Sequence, residues 1–145
     1  MKAPSSTLVV DASVLIAIVR GRSSYALVEA AKDHRLLVTD TTVSETQRRL
    51  ELGMKRPELT PLLFAAVELM NFIPARQLDT AGAALVLRDA VANRNGSAMD
   101  APILACAWAF DADIWSFDRD FAGTGVASWS TANLMRALDL KPAAI

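Results

Sequence analysis

Short apolar runs rich in β-branched residues alternate along the chain with longer segments of helical periodicity, which predicts parallel β-α units. The apolar runs predict strands at residues 7–10, 35–39, 113–117 and 126–129, with a further short strand suggested at 72–74. The helical segments cover residues 12–20, 24–33, 42–52, 60–71, 79–92, 101–110 and 131–138. Because no linker, repeat or low-complexity tract interrupts this pattern, we expect one α/β domain over residues 1–145.

Acidic side chains follow several of the predicted strands. Asp11, Asp40 and Asp118 stand where strands end, and Glu45 and Asp100 fall in the first turns of two predicted helices. Ligands of open parallel sheets bind beyond the carboxyl ends of the strands, so we expect these acids to meet at one edge. Clustered carboxylates repel one another, and hard divalent cations relieve that repulsion. Without a His or Cys cluster beside them, the acids fit Mg²⁺ or Mn²⁺ better than Zn²⁺.

Each acid also has a purely structural interpretation. Asp11 could cap the helix that follows it, and Glu45 completes a T-x-x-E capping box that starts at Thr42. Asp100 completes a similar pattern, but Pro102 would clash in that register, so Asp100 could instead be the N-cap of a helix that starts later.

Asp118 and Asp120 share a turn, where aspartate is common because it bonds to its own backbone. Asp40 is best explained by such an Asx turn. Single residues therefore do not decide between structural and functional roles.

Charge and composition limit how a partner could be held. The net charge is −1, so no global basic field indicates nucleic-acid binding, and a polyanion would need local basic patches or metal ions. The basic residues near the acids are Arg48, Arg49, Lys55, Arg56, Arg94 and Arg119, each of which could equally be a solvated surface residue. The hydrophobic content of 52% suggests that a partner covers part of the surface.

Two further features bear on the environment of the protein. The single cysteine, Cys106, lies in an apolar helical run and is expected to be a buried hydrophobic residue. The sequence begins without a signal-like leader and has no uncharged apolar run of membrane-spanning length, so we expect a soluble cytoplasmic protein.

Four motifs taken in order resemble the PIN domain, and in particular the VapC-like toxins of bacterial toxin–antitoxin pairs. They are V-V-D-A-S-V-L-I around Asp11, S-E ending at Glu45, D-A-P-I-L-A-C-A from Asp100, and S-F-D-R-D-F around Asp118. The resemblance covers nearly the whole chain. It departs at Pro102, where the family usually has an ordinary helix former, and over residues 123–129.

The resemblance implies a three-layer α/β/α sandwich with a mostly parallel central sheet, and a Mg²⁺- or Mn²⁺-dependent ribonuclease. Position by position, it implies that the acids Asp11, Glu45, Asp100 and Asp118 are catalytic and bind metal, with Asp120 as an alternative to Asp118. Ser13 and Ser116 match the hydroxyl residues that support the acids, and Arg48, Arg49, Arg94 and Arg119 could hold the RNA.

The resemblance also implies partners: a homodimer, and an antitoxin peptide lying in an apolar groove. The early helices and residues 61–72 are the candidate surfaces.

Two other functions compete with this one. An aspartyl phosphoryl-transfer domain would use Asp11 as a nucleophile, but haloacid-dehalogenase-like folds need a second Asp at position 13, where Ser13 stands. A receiver-like domain needs adjacent acids at the end of the first strand, whereas Asp11 stands there alone between Val10 and Ala12. The other alternative is a PIN-like fold kept as a non-catalytic RNA-binding or scaffold module.

Overall fold

The computed structural model describes residues 3–90, 100–118 and 121–138, and in these residues five parallel strands form one sheet. The strands are β1 (Thr7–Val10), β2 (Arg35–Thr39), β3 (Asn71–Ile73), β4 (Asp113–Trp115) and β5 (Ser128–Trp129). Their spatial order is β3-β2-β1-β4-β5, so the first strand is the central one. Val9 is opposite Leu37 of β2 on one side and Ile114 of β4 on the other.

Helices connect the strands. In the same described residues they are α1 (Ala12–Val19), α2 (Ser24–Asp33), α3 (Asp40–Arg48), α4 (Thr60–Val67), α5 (Thr80–Ala90), α6 (Asp100–Phe110) and α7 (Thr131–Ala137). A π-helical turn, Arg49–Gly53, follows α3, and 3₁₀ turns occupy Pro57–Leu59 and Ala75–Gln77. None of the helices that can be described is long and apolar enough to span a membrane.

The two faces of the sheet carry separate hydrophobic cores. On β1, Leu8 and Val10 pack with α1, α2, α4 and α7, whereas Val9 packs with α5 and α6 on the opposite face. Successive side chains of a strand point to opposite faces, so a strand buried on both sides reads as an unbroken apolar run. The apolar run of β1 has this property, and the layering confirms the expected three-layer α/β/α fold.

The strand order creates a crevice at one edge of the sheet. From β1 the chain proceeds to β2 on one side, whereas from the neighbouring β4 it proceeds to β5 on the other. The connections that follow β1 and β4 therefore diverge, and such a switch point is where open α/β sheets bind ligands.

Several predicted boundaries were wrong. α3 begins at Asp40 rather than Thr42, because the side chain of Thr39 accepts a hydrogen bond from the N–H of Thr42 and caps the helix two residues earlier than expected. α4 ends at Val67, well short of residue 71, because Asn71 pairs with β2 and begins β3. β4 ends two residues earlier than predicted, at Trp115, and β5 begins two residues later, at Ser128.

Candidate active site

Asp11 and Asp118 come from the two strands that border the crevice. Asp11 directly follows β1, and its N–H donates to the carbonyl of Trp115, the last residue of β4, at 3.0 Å. Asp118 lies three residues after Trp115, on the loop that leaves β4. The sheet pairing thus brings together two aspartates that are 107 positions apart in the sequence.

Asp11 is buried and its carboxylate is held from both sides. Only 3% of the residue is exposed. Its Oδ1 accepts from the N–H of Ala12 at 2.8 Å, and its Oδ2 accepts from the hydroxyls of Ser13 at 3.2 Å and Ser116 at 2.6 Å. Asp11 is also the N-cap of α1. The capping bond therefore uses Oδ1, and the two serines use Oδ2. Each carboxylate oxygen can accept about two hydrogen bonds, so Oδ1 can still accept one more.

Ser13 and Ser116 also fix the loop that carries Asp118. The hydroxyl of Ser13 accepts from the N–H of Phe117 at 3.2 Å, and that of Ser116 accepts from the N–H of Asp118 at 2.9 Å. A hydroxyl can donate once and accept twice, so each serine bridges the Asp11 carboxylate and the loop backbone. The position of Asp118 relative to Asp11 is thereby set by two side chains.

The electrostatics of this edge disfavour carboxylate charge. Burial raises the pKa of Asp11 to about 6; the bond from Ser116 lowers it, and the negative charge of Asp118 raises it. Burial also raises the pKa of Glu45 above its ordinary value, with Arg49 lowering it and the charge of Asp118 raising it again. Asp118 therefore lies within electrostatic reach of both other acids.

Glu45 is not a capping residue, contrary to its structural interpretation. Because Thr39 caps α3, Glu45 lies beyond the first turn and the expected box with Thr42 does not form. Glu45 lines a cleft along α3 with Arg48 and Arg49. Asp40 serves the fold: its Oδ1 accepts from the N–H groups of Thr41 and Ala75, each at 2.9 Å.

Asp100 begins α6 and is 6% exposed. Because α6 leads into β4, its end lies at the amino edge of the sheet and its start at the carboxyl edge, where Asp11 is. Asp100 is itself helical, so the alternative in which it caps a helix that starts later was wrong. The other alternative, a capping pattern that begins at Ser97, lies outside the described residues. Pro102 lies in the first turn, where a missing N–H costs little.

The described residues do not contain a complete metal cage. Within residues 3–90, 100–118 and 121–138, no three His, Cys, Asp or Glu side chains are placed to hold a metal ion together. The part of the site that the structure describes is the Asp11–Asp118 pair with Ser13 and Ser116. Glu45 lies within electrostatic reach of the Asp118 charge. The predicted Asp120, Arg94 and Arg119 lie outside the described residues.

One surface beside the site was not predicted from the sequence. A cleft of about 840 Å³ opens next to Ser13 and Phe117 and runs between α1 and α7. In the sequence, the Arg20–Gly21–Arg22 segment after α1 places two arginines close together, which is a weak sign of a basic surface. Arg136 joins them only because α1 and α7, which are distant in the sequence, pack on the same face of the sheet.

The sequence matches the model of the PIN domain family over residues 9–139. The chain therefore belongs to the PIN domain family. No curated protein sequence matches it.

Solved structures share the fold at low sequence identity. A chain of VapBC2 from Rickettsia felis, bound to a DNA fragment from its promoter, is 13% identical with a TM-score of 0.67; the match covers 86% of this chain and 98% of that chain. PAE2754 from Pyrobaculum aerophilum is 15% identical with a TM-score of 0.67, covering 96% and 94%. A toxin–antitoxin complex from Klebsiella pneumoniae contains a chain that is 22% identical with a TM-score of 0.60, covering 86% and 97%.

Proposed function

We propose that this PIN domain is a metal-dependent ribonuclease that hydrolyses RNA phosphodiester bonds at the edge of the sheet where Asp11 and Asp118 meet. The observation that carries the proposal is the arrangement of Asp11: a buried carboxylate held by three hydrogen bonds at the switch point, beside a second carboxylate. A protein gains no stability from such a pair of like charges. It is better explained as a site prepared for a cation.

The donor set fits Mg²⁺ or Mn²⁺. The candidate ligands, Asp11, Glu45, Asp100 and Asp118, all offer carboxylate oxygen, which hard divalent cations prefer. The raised pKa values of Asp11 and Glu45 show how unfavourable their negative charges are in the metal-free protein. A bound cation would supply Lewis acidity, lowering the pKa of a water molecule and stabilising charge on the phosphate.

The residues of the chain would orient the reacting groups. Ser13 and Ser116 hold the Asp11 carboxylate and the backbone of the Asp118 loop in one arrangement, so these two acids would be kept side by side for a cation. Glu45, half-buried and with a raised pKa, is suited to accept a proton from the attacking water through an Oε atom. Arg48 and Arg49, exposed beside Glu45, would contact RNA phosphates.

Cleavage of a mixed RNA pool by the purified protein tests this proposal. We expect fragments with Mg²⁺ and none with EDTA, and we expect Asp11→Asn to abolish cleavage. Asp33→Asn is the matched control, because Asp33 is an exposed aspartate at the end of α2, away from the site. Cleavage that persists in EDTA or in Asp11→Asn would refute the proposal, and a lack of Mg²⁺-dependent cleavage of any RNA would favour a scaffold module.

We further propose that the nuclease is the toxin of a toxin–antitoxin pair, acts in the cytoplasm, forms a homodimer and is covered by a cognate antitoxin. Two of the structural neighbours come from VapBC2 and from a toxin–antitoxin complex. The surface formed by α4 and β3 exposes several large apolar side chains, as a partner-binding surface would: Leu62, Phe64, Leu69 and Phe72.

Induction in a bacterial host tests the toxin role. Growth should stop when the wild-type chain is induced and continue when Asp11→Asn is induced. Equal arrest by both proteins would show that the effect does not come from the proposed site. Analytical ultracentrifugation tests the dimer, and a monomer at high concentration would contradict it.

A further inference from the structure

The cleft between α1 and α7 adjoins the acids and has an unusual composition. Ser13, which bonds to Asp11, and Phe117, which adjoins Asp118, form the end nearest the site. Arg20 and Arg22 follow α1, and Arg136, which donates a hydrogen bond to Asn133 at 3.2 Å, lines the cleft from α7. The cleft is therefore continuous with the residues proposed to carry out hydrolysis.

The charge of the cleft favours an anionic occupant. Three of the residues that line it are arginines and none is acidic. Neither ion pair in the described part of the chain, Lys32–Glu29 or Arg56–Glu58, involves one of these arginines. In a chain with a net charge of −1, this is a local concentration of positive charge that would attract phosphate groups.

Two aromatic rings indicate which class of anion the cleft binds. Tyr25 and Phe117 both line the cleft and are 42% and 47% exposed. Exposed rings and arginines in one cleft are the features that bind single-stranded nucleic acid, because every base can stack on a ring. In a duplex the base faces are already stacked and cannot reach the rings.

The position of Phe117 connects base binding to the reaction site. Its N–H is held by Ser13, and its neighbours along the chain are Ser116 and Asp118. A base that stacks on Phe117 would place its own phosphate close to Asp11 and Asp118. We infer that the α1–α7 cleft holds a single-stranded segment of the RNA substrate, with a base on Phe117 and phosphates on Arg20, Arg22 and Arg136; this inference rests on the proposed function.

Binding of a labelled RNA tests the inference without requiring cleavage. The probe is a fluorescein-labelled 12-nucleotide single-stranded RNA of mixed sequence, measured by anisotropy in EDTA. We expect Phe117→Leu to weaken binding by about tenfold, the loss of one stacked base. We expect the double variant Arg20→Gln/Arg136→Gln to lower the slope of log Kd against log salt by about 1.4, or about 0.7 for each lost phosphate contact.

Matched controls come from the opposite layer. Trp108→Leu removes a ring that is 39% exposed on α6, and Arg88→Gln removes an exposed arginine on α5; both should bind like the wild type. The duplex of the same RNA should bind more weakly than the single strand. Circular dichroism of each variant verifies that it is folded.

The outcomes separate this inference from the proposed function. If the cleft variants bind and cleave RNA like the wild type, the inference is overturned and the nuclease stands. If the cleft variants lose RNA binding but the wild type shows no Mg²⁺-dependent cleavage, the cleft stands as a site for single-stranded RNA and the nuclease is refuted. Failure of the wild type to bind the RNA would overturn the inference. The inference would also be overturned if the cleft substitutions weakened the binding of a labelled oligo-aspartate peptide but not the binding of RNA.

Discussion

Asp11→Asn should make the metal-free protein more stable at neutral pH. Asp11 is 3% exposed, and burial is the largest cause that raises its pKa. Asparagine has nearly the same shape but no charge. Its Oδ1 can still accept from the N–H of Ala12, and its Nδ2 can donate to Ser13 or Ser116.

The size of the effect follows from the pKa of Asp11. A rise from 3.8 to about 6 means that the folded state binds this proton more tightly than the unfolded state does. The ionised group therefore destabilises the fold at pH values above about 6, and this cost fades as the pH falls toward 3.8. At 1.36 kcal/mol per pKa unit, the full cost is about 3 kcal/mol at pH 7.5 and about half of that at pH 5.

Urea denaturation in EDTA measures this cost as the difference between the wild type and Asp11→Asn. Other titrating groups occur in both proteins and cancel. We expect the variant to be more stable by about 1–3 kcal/mol at pH 7.5, with a gap that narrows at pH 5, while Asp33→Asn stays within about 0.5 kcal/mol of the wild type. A variant less stable than the wild type at pH 7.5, or a gap that widens as the pH falls, would show that the Asp11 carboxylate stabilises the fold.

Three other predictions concern neighbouring parts of the molecule. Mg²⁺ should raise the melting temperature of the wild type but not of Asp11→Asn in differential scanning calorimetry, because a ligand of the folded state stabilises it; equal shifts would place the binding site elsewhere. Ser116→Ala should cost about 1–3 kcal/mol in urea denaturation, because the buried carboxylate of Asp11 loses its shortest hydrogen bond and the N–H of Asp118 loses its acceptor; an unchanged midpoint would count against the bridging role. Cys106 is fully buried, and burial raises its pKa to about 12, so a thiol reagent at pH 8 should modify it only after unfolding, and rapid labelling of the native protein would contradict that burial.

The sequence predicted the fold class well because the signals for it are local. Leu8–Val10 is an apolar run too short for a helix, and Asp11 directly after it had to lie at a strand end. Cys106 was correctly predicted to be buried because the apolar run around it faces the sheet.

The helix boundaries and the cleft depend on contacts between distant residues. Thr42 fits a capping box, but Thr39 lies at the end of β2 and reaches the N–H of Thr42 first. Likewise, Asn71 fits a continued helix until it pairs with β2. Arg20 and Arg136 share a cleft only because α1 and α7 pack on the same face of the sheet, and no local pattern indicates that contact.

Titration calorimetry with Mn²⁺ tests most directly whether the edge formed by Asp11 and Asp118 binds metal. We expect the wild type and the Asp33→Asn control to bind Mn²⁺ with equal affinity. Asp11→Asn, although folded and more stable without metal, should bind at least about tenfold more weakly, because changing even a group that only supports a metal ligand typically costs about that much. Undiminished Mn²⁺ affinity in Asp11→Asn would contradict the assignment of the site.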